Sequence, residues 1–243
     1  MTHLYSKNEL TFSLTWIISY VVLFSLADNI SANSGTAKII TAPLSVVMAA
    51  LLLVWIMKNG LSEKYGLQKV KINYGKYLYF LPLIAIATNN LWGGLSVHFS
   101  VLETVLHVIS MICVGFLEEI IFRGFLFLAL CQNNVKQAVL ISSLTFGIGH
   151  IVNLLNGAEV LSTLLQICYA VAIGFLFTAI FYQSKTLIPC IIAHSVFNSL
   201  SAFAGERTNL FHICTAAALT VVSLVYAMWI WKYGQPVNKE ELP

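Results

Sequence analysis

The 243-residue sequence is 58% hydrophobic and only 9% charged, with a mean hydropathy of +0.83. Soluble domains carry charges on about a quarter of their residues, so a water-soluble globule is excluded and a bilayer protein is indicated. The net charge of +3 is small, and the lysines cluster in connections. That argues against a nucleic-acid partner and makes the cations a guide to membrane orientation.

At about 20 apolar residues per transmembrane helix, this length supplies about eight spans and little else. Long apolar runs predict helices near residues 11–28, 39–57, 77–95, 101–130, 137–155, 159–182, 187–204 and 210–231. The expected fold is an all-α polytopic helix bundle, with residues 1–243 forming one integral membrane domain. Lys7 before an apolar run ending near Ala27 has the outline of a signal peptide, but the later spans favour an uncleaved first helix. The clearest interruption, Lys58 to Lys76, also holds Lys64, Lys69 and Lys71 and reads as a cytoplasmic loop. With eight spans, Lys7, Lys136, Lys185, Lys232 and Lys239 fall on the same side as that loop, leaving Lys38 and Arg207 opposite. Both termini are therefore expected in the cytoplasm, with the chain a multi-pass protein of the cell membrane.

Cys113, Cys131, Cys168, Cys190 and Cys214 are scattered through apolar stretches without metal-type spacing, so buried free thiols are expected and no disulfides. Trp16, Trp55, Trp92, Trp229 and Trp231 read mostly as interface anchors. His98, Glu103, His107 and His212 fall near predicted outer helix ends and read as interfacial polar residues. His107 lies eleven residues before Glu118, about 16 Å away along a helix axis, too far to share its site.

Ionisable groups inside apolar helices are costly and call for a partner, a wet cavity or a task. In the fourth predicted helix, Glu118, Glu119 and Arg123 sit among Phe116, Leu117, Ile120, Ile121, Phe125 and Leu126. At about 100° per residue Glu119 and Arg123 form an i,i+4 pair with the acid N-terminal, the better orientation. Glu118 points away from that pair and has no sequence-local cation. Such a carboxylate is suited to acid–base work on water, although a purely structural polar knot of all three charges is the competing reading. In the fifth helix Phe146 and His150 share a face, and Gly147 and Gly149 permit close packing or a kink. In the seventh, His194 and Asn198 lie one turn apart, after Pro189 in the first turn. Singly these polar residues could be interhelical glue. Together, a Glu, two His and an Asn that converged on one cavity would supply a base for water and donors for an oxyanion.

The ordered set Glu118-Glu119-x-x-x-Arg123, Phe146-x-x-x-His150 and His194-x-x-x-Asn198, within apolar helices of residues 101–205, resembles the CPBP or Abi family. This family groups CAAX-processing endopeptidases with bacteriocin-processing and immunity proteins. The resemblance implies an eight-helix fold and an intramembrane endopeptidase acting on a membrane-embedded or lipidated peptide, prenylated or of leader or signalling type. It implies that Glu118 with His150 activates water and that His194 and Asn198 hold the oxyanion or position the centre. Glu119 and Arg123, beside Phe146, would brace the site. It leaves open a zinc-like divalent metal held by Glu118, His150, His194 and Asn198 or a metal-free, glutamate-activated water; the donor types suit zinc, but no HExxH is present. The alternatives are a non-catalytic membrane immunity or scaffold protein of the same fold, and a small transporter. The transporter is disfavoured because paired repeats of broken helices are absent from the sequence.

Overall fold

The computed structural model describes residues 1–67, 78–206 and 208–234. Within them the chain is all-α, and the single β-type contact is an isolated bridge between Leu95 and Ala204. A short α1 (Thr2–Lys7) leads into α2 (Glu9–Asn33), α3 (Thr41–Lys58) and α4 (Leu81–Thr88). There follow α5 (Val101–Cys131), α6 (Val135–Leu155), α7 (Val160–Ser184), α8 (Ile188–Leu200) and α9 (Asn209–Tyr233). Each of the eight apolar runs of the sequence coincides with one of α2 to α9. Six of these helices are long and apolar enough to cross a bilayer, whereas Leu78–Leu91 and Ile188–Phe203 are shorter. The 13 residues of α8 reach only about 20 Å, less than the hydrocarbon core. The cations Lys69, Lys71, Lys76, Arg207 and Lys239 lie outside the described residues.

Local chemistry sets the helix ends. Asn8, Ser100, Asn134 and Thr208 each accept a backbone N–H from the first turn of the helix that follows, and Ser100 forms a full capping box with Glu103. Pro82 and Pro189 occupy first turns, where a missing N–H is harmless. Buried hydroxyls such as Ser13, Ser31 and Thr178 return hydrogen bonds to the carbonyl four residues back, so they remain satisfied within apolar surroundings. Ile18, Leu26, Leu51 and Val221 are exposed. Lipid is the solvent for these faces, so burying them is unnecessary.

The most buried long helix is α7, held between α6 and α9, while α8 packs on α5 and α4. Two glycines permit the approaches that matter. A Cβ on Gly115 would collide with the backbone and hydroxyl of Ser195, and one on Gly147 with the backbone and side chain of Val171. Gly115 therefore brings α5 against α8 beside His194, and Gly147 brings α6 against α7. Ser195 completes the first contact by donating to the Ile112 carbonyl at 3.0 Å.

Three features depart from the sequence reading. Residues Ile120–Phe127 in the middle of α5 are wound as a π-helix, and all of them are buried. Hydropathy spacing carries no signal for this wider winding. The Phe122 carbonyl within it accepts from Ser142 Oγ of α6 at 2.8 Å. Second, α6 breaks at His150. The His150 and Ile151 amides bond three residues back, to Gly147 and Ile148, before the helix resumes at Val152. The break falls one turn past Gly147 and interrupts the helix more sharply than the kink that the two glycines permit. Third, Trp55 is buried in a cluster with Tyr5, Phe12 and Phe125. It is a core residue rather than an interface anchor, because α1 folds back over it and its indole donates to Thr2. The five cysteines are free, but only Cys131 and Cys190 are buried, whereas Cys168 and Cys214 are exposed.

The described lysines separate by end. Lys64 Nζ donates to Glu9 Oε1 at 2.6 Å and to Tyr5 Oη at 2.8 Å, joining the connection after α3 to the start of α2. Burial works to lower its pKa, but these two partners raise it overall, so the ammonium stays charged. Gly66 accepts from the Leu187 amide and the Thr186 hydroxyl at the α7–α8 turn, where Lys185 stands over Tyr182. Tyr182 stacks on Trp231, next to Lys232. Lys38 is at the opposite end of α2, paired with Asp28 at 2.8 Å.

Candidate active site within the bundle

The centre is built on α5 where its winding changes. Glu119 and Arg123 are fully buried and paired, Arg123 Nη1 donating to Glu119 Oε1 at 2.9 Å. The i,i+4 pair read from the sequence is thus present. The rest of the guanidinium faces aromatic rings in place of further hydrogen bonds, with Cζ 4.1 Å from the Phe146 ring centroid and 5.7 Å from that of Phe177. Phe146 therefore braces Arg123, and its own ring edge-packs on Phe122.

The same Glu119 oxygen accepts from His194 Nδ1 at 2.8 Å, turning the other ring nitrogen toward Glu118. His194 Nε2 is 3.3 Å from Glu118 Oε2, the two side chains being 9% and 13% exposed. A carboxylate at each imidazole nitrogen accepts an N–H, which orients the ring and aims its Nε2–H edge at the reacting centre. Glu118 Oε1 accepts from the Tyr20 hydroxyl at 2.7 Å. Glu118 therefore has no local cation, as its place on the helix suggested, yet it is held from two other helices, α2 and α8.

His150 and Asn198 line the same cavity of about 260 Å³ as Glu118, His194 and Tyr20. The His150 and His194 rings flank Phe146 at centroid distances of 5.3 and 5.8 Å, both edge to face. A smaller recess lined by His150, His194 and Asn198 continues toward Tyr169 and Phe197. All seven residues read from the sequence, Glu118, Glu119, Arg123, Phe146, His150, His194 and Asn198, meet at this one place.

They do not meet as a ligand shell. Among the described residues no three His, Cys, Asp or Glu side chains come together closely enough to hold a metal ion. The nearest donors are already engaged, His194 with Glu118 and Glu119, and Glu118 with Tyr20. The set considered as zinc ligands, Glu118, His150, His194 and Asn198, does not fit a divalent metal in this arrangement.

Two parts of the cavity went unread in the sequence. Tyr20 is a buried phenol in an otherwise apolar helix, and no short-range pattern links it to Glu118. Asp28, Lys38, Asn153 and Gln166 form polar walls farther along, Asn153 donating to Gln166 at 2.9 Å. A charged pair closing the α2–α3 connection was the available signal for Asp28 and Lys38. The residues set aside as interfacial stay apart from the centre: His107 bonds Ser201 at 2.9 Å and stacks on Phe99, and Glu103 accepts from the Ala37 amide.

Fold and cavity define a multi-pass membrane protein with an ionisable cluster enclosed by its helices. The family model described as Rce1-like, type II CAAX prenyl endopeptidase Rce1-like, matches residues 100–200. That segment contains all three motifs, and the match bears out the resemblance to the CPBP family of CAAX proteases. No curated protein and no solved structure matches the chain.

Proposed function

We propose that the chain is an intramembrane endopeptidase that cleaves a membrane-associated peptide with water activated by Glu118. The observation that carries this reading is Glu118 facing His194 at 3.3 Å on the wall of a cavity that His150 and Asn198 also line. The prenyl endopeptidase family match supports it. Ionised Glu118 takes a proton from water as the water oxygen attacks the peptide carbonyl carbon, and His150 faces the same volume to share this work. The carbonyl electron pair moves onto oxygen, where His194 Nε2–H and the Asn198 amide, one helical turn apart, donate to the oxyanion. Collapse of the tetrahedral intermediate breaks the C–N bond, and Glu118 returns the proton to the leaving amine. Glu119, held by Arg123, keeps His194 in register throughout. Because the donor set does not fit a metal, no step is assigned to one.

The substrate in this reading is a prenylated, leader or signalling peptide whose chain enters between helices. The Lys58–Lys76 connection and both termini are placed on the cytoplasmic side, by the bias of lysines to that face. The test compares peptides in membranes from cells making the wild-type chain and Glu118→Gln. A cleavage product present only with wild type is expected. Products independent of Glu118, with the cellular phenotype intact, would favour a non-catalytic immunity or scaffold protein instead.

A further inference from the structure

The cavity has a direction. Tyr20, which holds Glu118, is eleven residues after Glu9 and eight before Asp28 on α2, about 16 Å and about 12 Å along the axis. Glu9 marks the lysine-rich end through its pair with Lys64, and Asp28 marks the other end through its pair with Lys38. The centre thus lies near the middle of α2, which continues to Asn33, and the cavity extends from it toward the lysine-poor end. Beyond Glu118 and His194 its wall passes Asn153 and Gln166 to Asp28, Lys38 and Asn156. Asp28, Lys38 and Asn156 also line a second space of about 340 Å³ farther out. Exposure rises along the same path, from 9% and 13% at His194 and Glu118 to 20% and 32% at Lys38 and Asp28, with Asn156 exposed.

The lysine-rich side of the centre is closed. Below Glu118 come the fully buried π-helix residues Ile120, Ile121 and Phe127, with Phe12, Trp55 and Phe125 packed against one another. Among the described residues, no polar side chain of the cavity wall belongs to that end.

We infer that the centre is reached from the non-cytoplasmic face, and that its substrate is an exported or membrane-spanning peptide whose hydrophilic segment emerges on that face. This rests on the proposed function and its orientation. Side-chain amides and an ion pair at the mouth suit an extended, hydrated backbone beside the scissile bond, because they replace its lost water hydrogen bonds. A lipid-anchored chain confined to the cytoplasm would have to pass the closed aromatic end to reach Glu118.

The test uses the full-length chain with its five cysteines replaced and one new cysteine introduced, either Asn156→Cys at the mouth or Asn59→Cys at the opposite end, both exposed positions. A membrane-impermeant maleimide is applied to intact and to permeabilised cells. Asn156→Cys should label fully in intact cells and Asn59→Cys only after permeabilisation, and prior labelling of Asn156→Cys should abolish cleavage of the substrate. Any other labelling pattern overturns the inference, including a mouth that never labels, as does unchanged cleavage after complete labelling. The labelling needs no activity, so it stands or falls separately from the peptidase reading, which fails if Glu118→Gln cuts at the wild-type rate.

Discussion

The Tyr20 hydroxyl donates to Glu118 Oε1 at 2.7 Å, linking α2 to the centre across 98 residues of sequence. The bond leaves Glu118 Oε2 for His194 and fixes the carboxylate plane that faces the cavity. Tyr20 lies outside the segment matched by the endopeptidase family, so the first long helix supplies a part of the site that the matched region lacks.

Tyr20→Phe keeps the ring and its packing on Phe24, 4.4 Å between centroids, and removes only this donor. A hydrogen bond to a charged group is worth about 1.5–3 kcal/mol, so kcat should fall about ten- to a hundredfold. KM and the unfolding temperature should stay near wild type, because neither substrate contacts nor packing change. Steady-state kinetics on the purified variant measure this split. A fall in stability with unchanged kcat would assign Tyr20 to packing alone.

Among the described residues, Arg123 and His194 are the groups ion-paired with fully buried Glu119. Arg123→Ala strands that carboxylate and opens space beneath Phe146, which should cost about 3–5 kcal/mol. Arg123→Lys should also be defective, since an ammonium cannot reproduce the flat guanidinium over the Phe146 ring. Thermal unfolding in detergent should show both losses, the alanine variant worse. A stable Arg123→Ala chain would mean that Glu119 is not held as a charge.

Gly115 and Gly149 make a matched pair of substitutions. Gly115→Ala puts a methyl into the Ser195 backbone and should push α8 from α5, lowering unfolding temperature and cleavage together. Gly149→Ala meets nothing within 4 Å at a helical backbone position and should be tolerated. Equal behaviour of the two variants would contradict the close α5–α8 contact as the feature that sets Glu118 against His194.

Chelators provide a test of the donor set. With His194 bonded to two carboxylates and, among the described residues, no group of three His, Cys, Asp or Glu arranged to hold a metal ion, cleavage should be unaffected by EDTA or phenanthroline. Loss of activity on chelation, restored by zinc, would require a rearranged centre.

The eight helices were legible because each is one long apolar run, and the Glu119–Arg123 pair because both partners sit on one helix turn. Six of the seven centre residues were legible as ionisable or amide groups out of place in hydrocarbon, and Phe146 by its spacing from His150. What stayed hidden is non-local or invisible to hydropathy. Tyr20 meets Glu118 only after the chain has crossed back and forth, and a phenol is ordinary in a membrane helix. The π-wound stretch Ile120–Phe127 shows the same apolar residues an α-helix would. Trp55 reads as an anchor by type, and only α1 folding over it makes it core. The sequence likewise names the lysine-rich end, but not that the cavity opens away from it.

The central claim is that Glu118 performs the chemistry. Its direct test is the cleavage rate, in proteoliposomes, of a peptide that the wild-type chain cuts, compared between wild type and Glu118→Gln. The amide is nearly isosteric and can keep the Tyr20 contact, so the variant should fold, with an unfolding temperature close to wild type and no detectable cleavage. A folded Glu118→Gln protein that cuts at the wild-type rate would contradict the account.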